Sequence, residues 1–142
     1  MVNNCTKNDI EKIKELGKLI NSNFDKVNNI EELIKDNKII GFYDNDILVG
    51  FLIYEQLYEI IDLLYIVVEP IYRRKSIGTK LLNYLIDNKE FEKIMLEVRC
   101  DNSSAIKLYK KFNFKIINIR KKYYDNIDAY VMELIKWKMY IY

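Results

Sequence analysis

The feature that most constrains the fold is one apolar run, Ile60–Val68, together with the segments that follow it. The run is rich in isoleucine, leucine, valine and tyrosine, which predicts a central strand buried on both faces. It ends at Pro70, because proline cannot donate a hydrogen bond to a sheet ladder. Apolar residues then recur at helical spacing over Ile77–Asn88, and Lys93–Val98 is the next strand candidate. A strand, a helix and a strand in this order predict an α/β sheet packed by helices.

The rest of the chain extends this pattern on both sides. We predict further strands at Val2–Cys5, Lys38–Tyr43, Ile47–Gln56, Lys115–Arg120 and Ala129–Ile135, and helices at Ile10–Ile20, around Ile30–Ile34 and at Ser103–Phe112. Thr6 or Asn8 is expected to cap the first helix, and Asp44–Asp46 to form a turn. Asn21–Asn29 and Tyr123–Asp128 are expected to be loops. No repeat or linker interrupts the sequence, which favours one domain over residues 1–142.

The sequence has no histidine, and this excludes several kinds of catalytic site. Serine–histidine and cysteine–histidine nucleophile pairs are excluded, as are zinc sites that need histidine. The two cysteines, Cys5 and Cys100, cannot form a tetrahedral metal site alone, so we expect no metal. A disulfide between them stays open, although free thiols in a reducing cytosol are the simpler interpretation.

The charge is nearly balanced, with 23 basic and 21 acidic residues and a net charge of +2. Such a balance predicts no strong attraction to nucleic acid or to an anionic membrane. The run Leu63–Val68 is too short to span a bilayer, and the N-terminus shows no signal-peptide pattern. We expect a soluble cytoplasmic protein, a monomer or a weak dimer, without nucleic-acid or membrane partners.

A basic loop lies between the central strand and the helix that follows it. Arg73, Arg74 and Lys75 supply positive charge, and the small residues Ser76 and Gly78 allow a close approach of the backbone. Free N–H groups at the start of a helix point at an anion, and the helix dipole favours negative charge there. The pattern therefore indicates a diphosphate cradle, although a solvated basic turn is the alternative. Neither of the two standard glycine-rich nucleotide motifs is present.

This segment resembles the cofactor motif of the GCN5-related N-acetyltransferases (GNAT), Gln/Arg-x-x-Gly-x-Gly/Ala. Residues 73–78 fit it except at Ser76, where that family normally has glycine. The resemblance implies a single domain with a mixed, mostly antiparallel sheet of six to seven strands and about four helices. It implies acetyl-CoA as co-substrate, with the pyrophosphate on residues 73–79 (Arg73, Arg74, Lys75, Ser76, Ile77, Gly78 and Thr79) and the pantetheine arm paired to Ile66, Val67 and Val68. We expect a negative φ at Ser76, with its N–H available and its hydroxyl able to contact phosphate.

A second segment, Met95–Phe114, combines a strand, a polar cap and an amphipathic helix. Asn113 lies where a helix C-terminus favours a left-handed residue. From the local pattern alone, Glu97 is expected to be an exposed carboxylate on a strand, and Tyr109 is expected to be an aromatic residue of the core.

This segment and the tail Arg120–Met132 resemble one GNAT branch, the ribosomal-protein alanine N-acetyltransferases of the RimI type. The resemblance covers roughly residues 40 to 135. It implies that Glu97 is the general base, that Tyr109 is the general acid, and that Asn102 hydrogen-bonds the pantetheine. In that branch the loop that holds Tyr123 and Tyr124 helps to shape the peptide cleft, and we assign those two tyrosines no catalytic role.

The branch implies acetyl transfer to the α-amino group of a protein N-terminus, best matched by the N-terminal alanine of ribosomal protein S18. The pKa of an α-amino group is about 7.7–8.0, whereas that of a lysine side chain is about 10.4. A carboxylate can therefore deprotonate the α-amino group more readily than the lysine. Two alternatives stay open. One is an acetyltransferase for a small amine, an antibiotic or a lysine side chain; the other is a CoA-binding domain without catalysis, which the serine at Ser76 would favour.

Overall fold

A computed structural model describes residues 1–124 and 126–136. The elements in chain order are β1 (Val2–Asn4), α1 (Ile10–Gly17), α2 (Phe24–Val27), α3 (Ile30–Lys35), β2 (Ile39–Asp44), β3 (Ile47–Leu57), β4 (Ile60–Val68), α4 (Ile77–Asn88), β5 (Lys93–Arg99), α5 (Ser103–Lys111), β6 (Lys115–Tyr124) and β7 (Ile127–Ile135). The predicted α/β architecture is confirmed, with seven strands and five α-helices in the described chain.

The strands form one sheet in the order β1-β2-β3-β4-β5-β7-β6. The pairs β1–β2, β2–β3, β5–β7 and β7–β6 are antiparallel, whereas β4 and β5 are parallel. Parallel neighbours need a crossover, and α4 provides it between β4 and β5. Because β7 lies between β5 and β6, the last two strands are not in sequence order within the sheet.

The described chain folds as two compact units, the first from residues 1–54 and 65–89 and the second from 55–64 and 90–136. In the first unit, Thr6 begins the opening helical segment with a capping box. The Thr6 hydroxyl accepts from the N–H of Asn8, and Asp9 accepts from the N–H of Thr6. Tyr43 on β2 donates to the same Asp9 carboxylate at 2.6 Å, which fixes the segment against the sheet.

Helix α1 packs into the core of the first unit through a close contact at its end. A Cβ built on Gly17 would lie 2.1 Å from a ring carbon of Phe24, so only glycine fits there. Phe24 is completely buried and belongs to the short helix α2. The expectation that Asn21–Asn29 is entirely a loop was therefore wrong in part. Phe24 is buried in the core, and the four residues Phe24–Val27 form one helical turn there.

The expectation that Ile60–Val68 is buried on both faces was also wrong. On β4, Ile61, Leu63 and Val67 are buried, while Ile60 and Leu64 are 39% and 44% exposed. The strand buried on both faces is β3, whose residues 48–54 are all buried. The apolar composition of β4 thus reflects one core face and one partly open face.

In the second unit the strands alternate between a buried and a more exposed face. On β5, Ile94, Leu96 and Val98 point into the core, and Glu97 lies on the opposite, more exposed face. Met132 on β7 is fully buried opposite Leu96, so the core face is continuous between the two strands.

The expected loop Tyr123–Asp128 is shorter than predicted, because β6 continues to Tyr124 and β7 begins at Ile127. Lys122 donates its N–H to Asp128 across the hairpin at 2.9 Å, and this bond lowers the pKa of the Asp128 carboxyl. The side chains of Tyr123 and Tyr124 lie outside the described part of the molecule. Within that part, no helix has both the length and the apolar character needed to cross a bilayer.

Candidate active site

The end of β4 offers backbone groups on the edge that faces away from β3. The N–H of Glu69 donates to the carbonyl of Val49 on β3 at 2.8 Å. Because backbone groups alternate sides along a strand, the N–H of the preceding residue, Val68, points toward the other edge. The ladder with β5 joins only Ile60–Asp62 to Lys93–Met95, and among the described residues no further pair extends it. Val68 therefore keeps a backbone donor beyond the reach of that ladder.

Gly50 on β3 brings this strand end and α4 close together. A Cβ built on Gly50 would lie 2.9 Å from the carbonyl oxygen of Val67 and 3.3 Å from a side-chain carbon of Ile77. A side chain at position 50 would therefore displace β4 or α4 in a packed region. Ile77 itself is only 4% exposed and anchors the first turn of α4.

The loop between β4 and α4 presents three cations at the surface. Arg73, Arg74 and Lys75 are all exposed, as the sequence predicted for an anion-binding loop. Nε of Arg73 donates to the carbonyl of Val68 at 3.2 Å, which ties the loop back to the strand end. The ammonium of Lys75 lies over the ring of Tyr72, 5.5 Å from its centroid.

The backbone of this loop is left-handed at two residues that are not glycine. Ser76 has φ 62° and ψ 21°, and Arg74 has φ 65°. The expectation of a negative φ at Ser76 was therefore wrong. The position at which the family motif has glycine is thus left-handed in this chain even though it carries a side chain. The Ser76 hydroxyl makes no capping hydrogen bond to α4.

Helix α4 begins directly after this left-handed residue. Its first helical hydrogen bond runs from the N–H of Lys80 to the carbonyl of Ser76 at 3.0 Å. The N–H groups of Ile77, Gly78 and Thr79 precede that bond, so they have no acceptor within the helix. Cationic side chains and unsatisfied helical N–H groups thus occur together in the first unit, which is an anion-binding arrangement.

The second unit holds the other predicted residues. Glu97 is near the end of β5, and its Oε1 lies 2.7 Å from Nη1 of Arg120 on β6. The side chains are 30% and 48% exposed, so water reaches both. The other arginine at this strand end, Arg99, forms a two-point ion pair with Asp101 at 3.0 Å, and this pairing lowers the pKa of the Asp101 carboxyl.

Asn102 has a structural role that is visible without any ligand. Its Oδ1 accepts from the N–H of Ala105 at 3.2 Å and from the hydroxyl of Ser104 at 3.3 Å, which makes it the N-cap of α5. Both contacts use Oδ1, so the amide nitrogen is the atom with which Asn102 would reach a ligand. At the other end of α5, Asn113 has φ 71°, which confirms the predicted left-handed termination.

Tyr109 lies on the buried side of α5. Its residue is 8% exposed, and its ring packs against Phe114 with centroids 5.6 Å apart. Burial raises the pKa of Tyr109 to about 12. The hydroxyl is therefore protonated throughout the neutral pH range.

Two residues of this region were not assigned a role from the sequence. Gly50 is far from the motif in the chain, and only the close approach of β3 to Val67 reveals it. Arg120 was quoted as part of a motif, but its ion pair with Glu97 depends on the strand order β5-β7-β6. Complementary charge was the one sequence signal that linked the two residues.

The comparison with protein families gives the same result as the motifs. The model of the acetyltransferase (GNAT) family matches residues 12–114, a span that contains the β4–α4 loop, Glu97 and Tyr109. The chain belongs to the GNAT acetyltransferase family. The resemblance to the GNAT acetyltransferases and the predicted GNAT fold class are confirmed.

Individual GNAT relatives agree with this assignment. The N-alpha-acetyltransferase of Saccharolobus solfataricus is 39% identical over 107 residues, covering 70% of this chain and 64% of that protein. The chain spans less than two thirds of the length of the first curated relatives it matches.

Two solved structures show the same fold over nearly the whole chain. The ribosomal-protein-S18-alanine N-acetyltransferase from Escherichia coli has a TM-score of 0.82 at 24% identity, with 100% of this chain and 98% of that chain covered. Naa50 from Arabidopsis thaliana, in complex with a CoA-containing bisubstrate analogue, has a TM-score of 0.76 at 26% identity, with 94% and 97% covered.

Proposed function

We propose that this chain is an acetyl-CoA-dependent N-acetyltransferase that modifies the α-amino group of protein N-termini. The observation that carries the proposal is the β4–α4 junction. There, an exposed cationic loop turns left-handed at Ser76 and opens directly into the N-terminus of α4. A diphosphate is the ligand that such a cradle suits, and CoA carries one.

The residues present suit acetyl-CoA, because they offer positive charge for its phosphates and backbone N–H donors for its oxygen atoms. Arg73, Arg74 and Lys75 would neutralise the phosphates, and the N–H groups of Gly78 and Thr79 would bind their oxygens. Val68 would donate its N–H to the thioester carbonyl and stabilise the oxyanion that forms there. The amide nitrogen of Asn102 would hydrogen-bond the pantetheine. The co-substrate supplies the activated acetyl group, and no metal is needed.

Glu97 would act as the base of the reaction. Its carboxylate accepts a proton from the amine, directly or through a water molecule, as the amine nitrogen bonds to the acetyl carbon. The solvent-reached side chain allows that water to enter. The oxygen Oε1 is engaged by Arg120, which leaves Oε2 as the proton acceptor.

Tyr109 would act on the departing sulfur. A hydroxyl with a pKa near 12 is a weaker acid than a thiol, whose pKa is about 8.5. Tyr109 therefore donates a hydrogen bond to the thiolate while the carbon–sulfur bond breaks, and the proton follows to give the free CoA thiol. The proton that reaches the sulfur comes from Tyr109. Glu97 then releases the amine proton to solvent and Tyr109 takes one proton from solvent, so both residues regain their initial state.

The acceptor class follows from the base and from the relatives. A carboxylate removes a proton from an α-ammonium, with a pKa of about 7.7–8.0, more readily than from a lysine near 10.4. Among the relatives, proteins named N-alpha-acetyltransferase recur. The finer substrate we propose is the N-terminal alanine of ribosomal protein S18, on which the name of the Escherichia coli protein is based.

The test of this activity is a peptide assay read by mass spectrometry. Three peptides are incubated with acetyl-CoA: the N-terminal sequence of ribosomal protein S18, the same peptide with a blocked N-terminus and an internal lysine, and an unrelated N-terminal peptide. We expect one added acetyl group on the first peptide and none on the blocked one. Acetylation of the blocked peptide alone would refute the α-amine assignment. Equal rates on both free peptides would refute the S18 preference.

Two substitutions test the assigned roles. Glu97→Gln and Tyr109→Phe should each lower kcat by roughly 100-fold or more, which is the usual contribution of general acid or base catalysis. Acetyl-CoA binding, measured by calorimetry, should change little. Glu55→Gln and Tyr58→Phe are matched controls on exposed residues, Tyr58 being 89% exposed, and both should behave like the unmodified protein. Unchanged kcat in Glu97→Gln or Tyr109→Phe would remove that residue from the mechanism.

A further inference from the structure

The ion pair between Glu97 and Arg120 spans a whole strand. Glu97 is on β5 and Arg120 is on β6, and β7 lies between these strands. Neighbouring strands are about 4.8 Å apart, so the two backbones are separated by about 10 Å. The charged atoms nevertheless lie 2.7 Å apart. The long arginine side chain must therefore cross the face of β7.

The register identifies the two residues of β7 that the Arg120 side chain passes, Ala129 and Val131. Arg120 is paired with Ala129 on β7, and Glu97 is paired with Val131. Directly paired residues project from the same face of a sheet, so all four share one face. Ala129 is completely buried, although Arg120 beside it is 48% exposed at its side chain. The single methyl group of Ala129 leaves room for the Arg120 side chain to pass on this face.

We propose that Arg120 is a positioning residue that reaches over Ala129 to hold the Glu97 carboxylate in place for proton transfer. This inference rests on the proposed role of Glu97 as base. The guanidinium fixes Oε1, which orients Oε2 toward the amine and keeps the side chain from rotating away. Ala129 is the second element of the device, because a larger side chain there would occupy the path of the arginine.

The test is a double-substitution cycle on steady-state kinetics with acetyl-CoA and the N-terminal peptide. Arg120→Met should lower kcat by roughly 10- to 100-fold, the loss expected when a reacting group is displaced by about 1 Å. The KM for acetyl-CoA should stay within about twofold, since Arg120 is not one of residues 73–79, to which the pyrophosphate is assigned. Arg120→Lys should recover part of kcat, because it keeps the charge with a different geometry.

Two comparisons separate positioning from other roles. In a Glu97→Gln background, Arg120→Met should change kcat by less than about twofold, because the group it positions has been removed. Ala129→Leu should reproduce the kcat loss of Arg120→Met, and the milder Ala129→Ser should reproduce little of it. Lys115→Met is the matched control, a cation on the same strand and face, and it should leave kcat unchanged.

The outcomes distinguish this inference from the activity itself. An inactive unmodified protein overturns the proposed function, and the positioning role falls with it. An active protein in which Arg120→Met is equally damaging with and without Glu97 overturns the positioning role alone. A rise in KM with unchanged kcat also overturns it. Thermal unfolding of every variant shows whether it is folded, and the lysine and serine variants decide the question where the larger substitutions unfold the chain.

Discussion

Substitution of Ser76 tests whether the left-handed loop stores strain. At φ 62°, a residue with a Cβ is disfavoured by about 1–2 kcal/mol relative to glycine. Glycine loses about 0.5–1 kcal/mol more conformational entropy on folding, so Ser76→Gly should be about 0.5–1 kcal/mol more stable than Ser76→Ala. Ser76→Ala itself should resemble the unmodified protein, because the hydroxyl caps nothing. For a chain of 142 residues, 1 kcal/mol corresponds to about 3 °C in Tm.

The assay is urea unfolding followed by circular dichroism, with an internal control on the same helix. Asn83 is exposed in the middle of α4, where right-handed geometry makes alanine about 1 kcal/mol better than glycine. The preference between glycine and alanine should therefore have opposite signs at positions 76 and 83. The same sign at both positions would refute the left-handed assignment, and a large loss in Ser76→Ala would show that the hydroxyl matters.

Further predictions concern alkaline stability and core packing. Burial raises the pKa of Tyr109 in the folded state from 10.0 to about 12. The buried neutral hydroxyl therefore contributes to the free energy of unfolding below pH 10, and this contribution, about 3 kcal/mol, is lost as the pH rises through 12. The unmodified protein should lose that much more stability than Tyr109→Phe over this range in urea titrations, and parallel curves would contradict the burial argument. Gly17→Ala should destabilise by about 2–3 kcal/mol through overlap with Phe24, and most of the loss should disappear in a Phe24→Leu background. An equal loss in both backgrounds would place the clash elsewhere.

Local signals predicted the elements whose cause is local. Thr6 begins a helical segment through its side-chain cap, and Asn113 ends α5 in the left-handed conformation that asparagine tolerates. Residues 73–79 were predicted as a loop opening a helix, which the structure confirms. The φ angle of Ser76 was not predicted correctly, because the connection from β4 to α4 imposes a backbone conformation that serine does not favour.

Features that depend on long-range pairing could not be obtained from the sequence. The one-sided burial of β4 depends on what packs against each face, which an apolar composition does not reveal. The contact of Arg120 with Glu97 requires that β7 insert between β5 and β6, and chain order suggests the opposite. Roles for Glu97 and Tyr109 came from resemblance, and they stay predictions until the kinetic tests are done.

Strand β6 is the last strand in the sheet order, and this has a consequence for handling the protein. Its isoleucines Ile116, Ile117 and Ile119 are 39%, 48% and 44% exposed, and among the described residues no strand pairs with its outer edge, so another chain could extend the sheet there. Lys115 and Arg120 flank them, and such charges oppose edge-to-edge aggregation. The cation that holds Glu97 would thus also keep the protein in solution. Neutral substitutions on this strand should be prepared at low concentration and checked by light scattering.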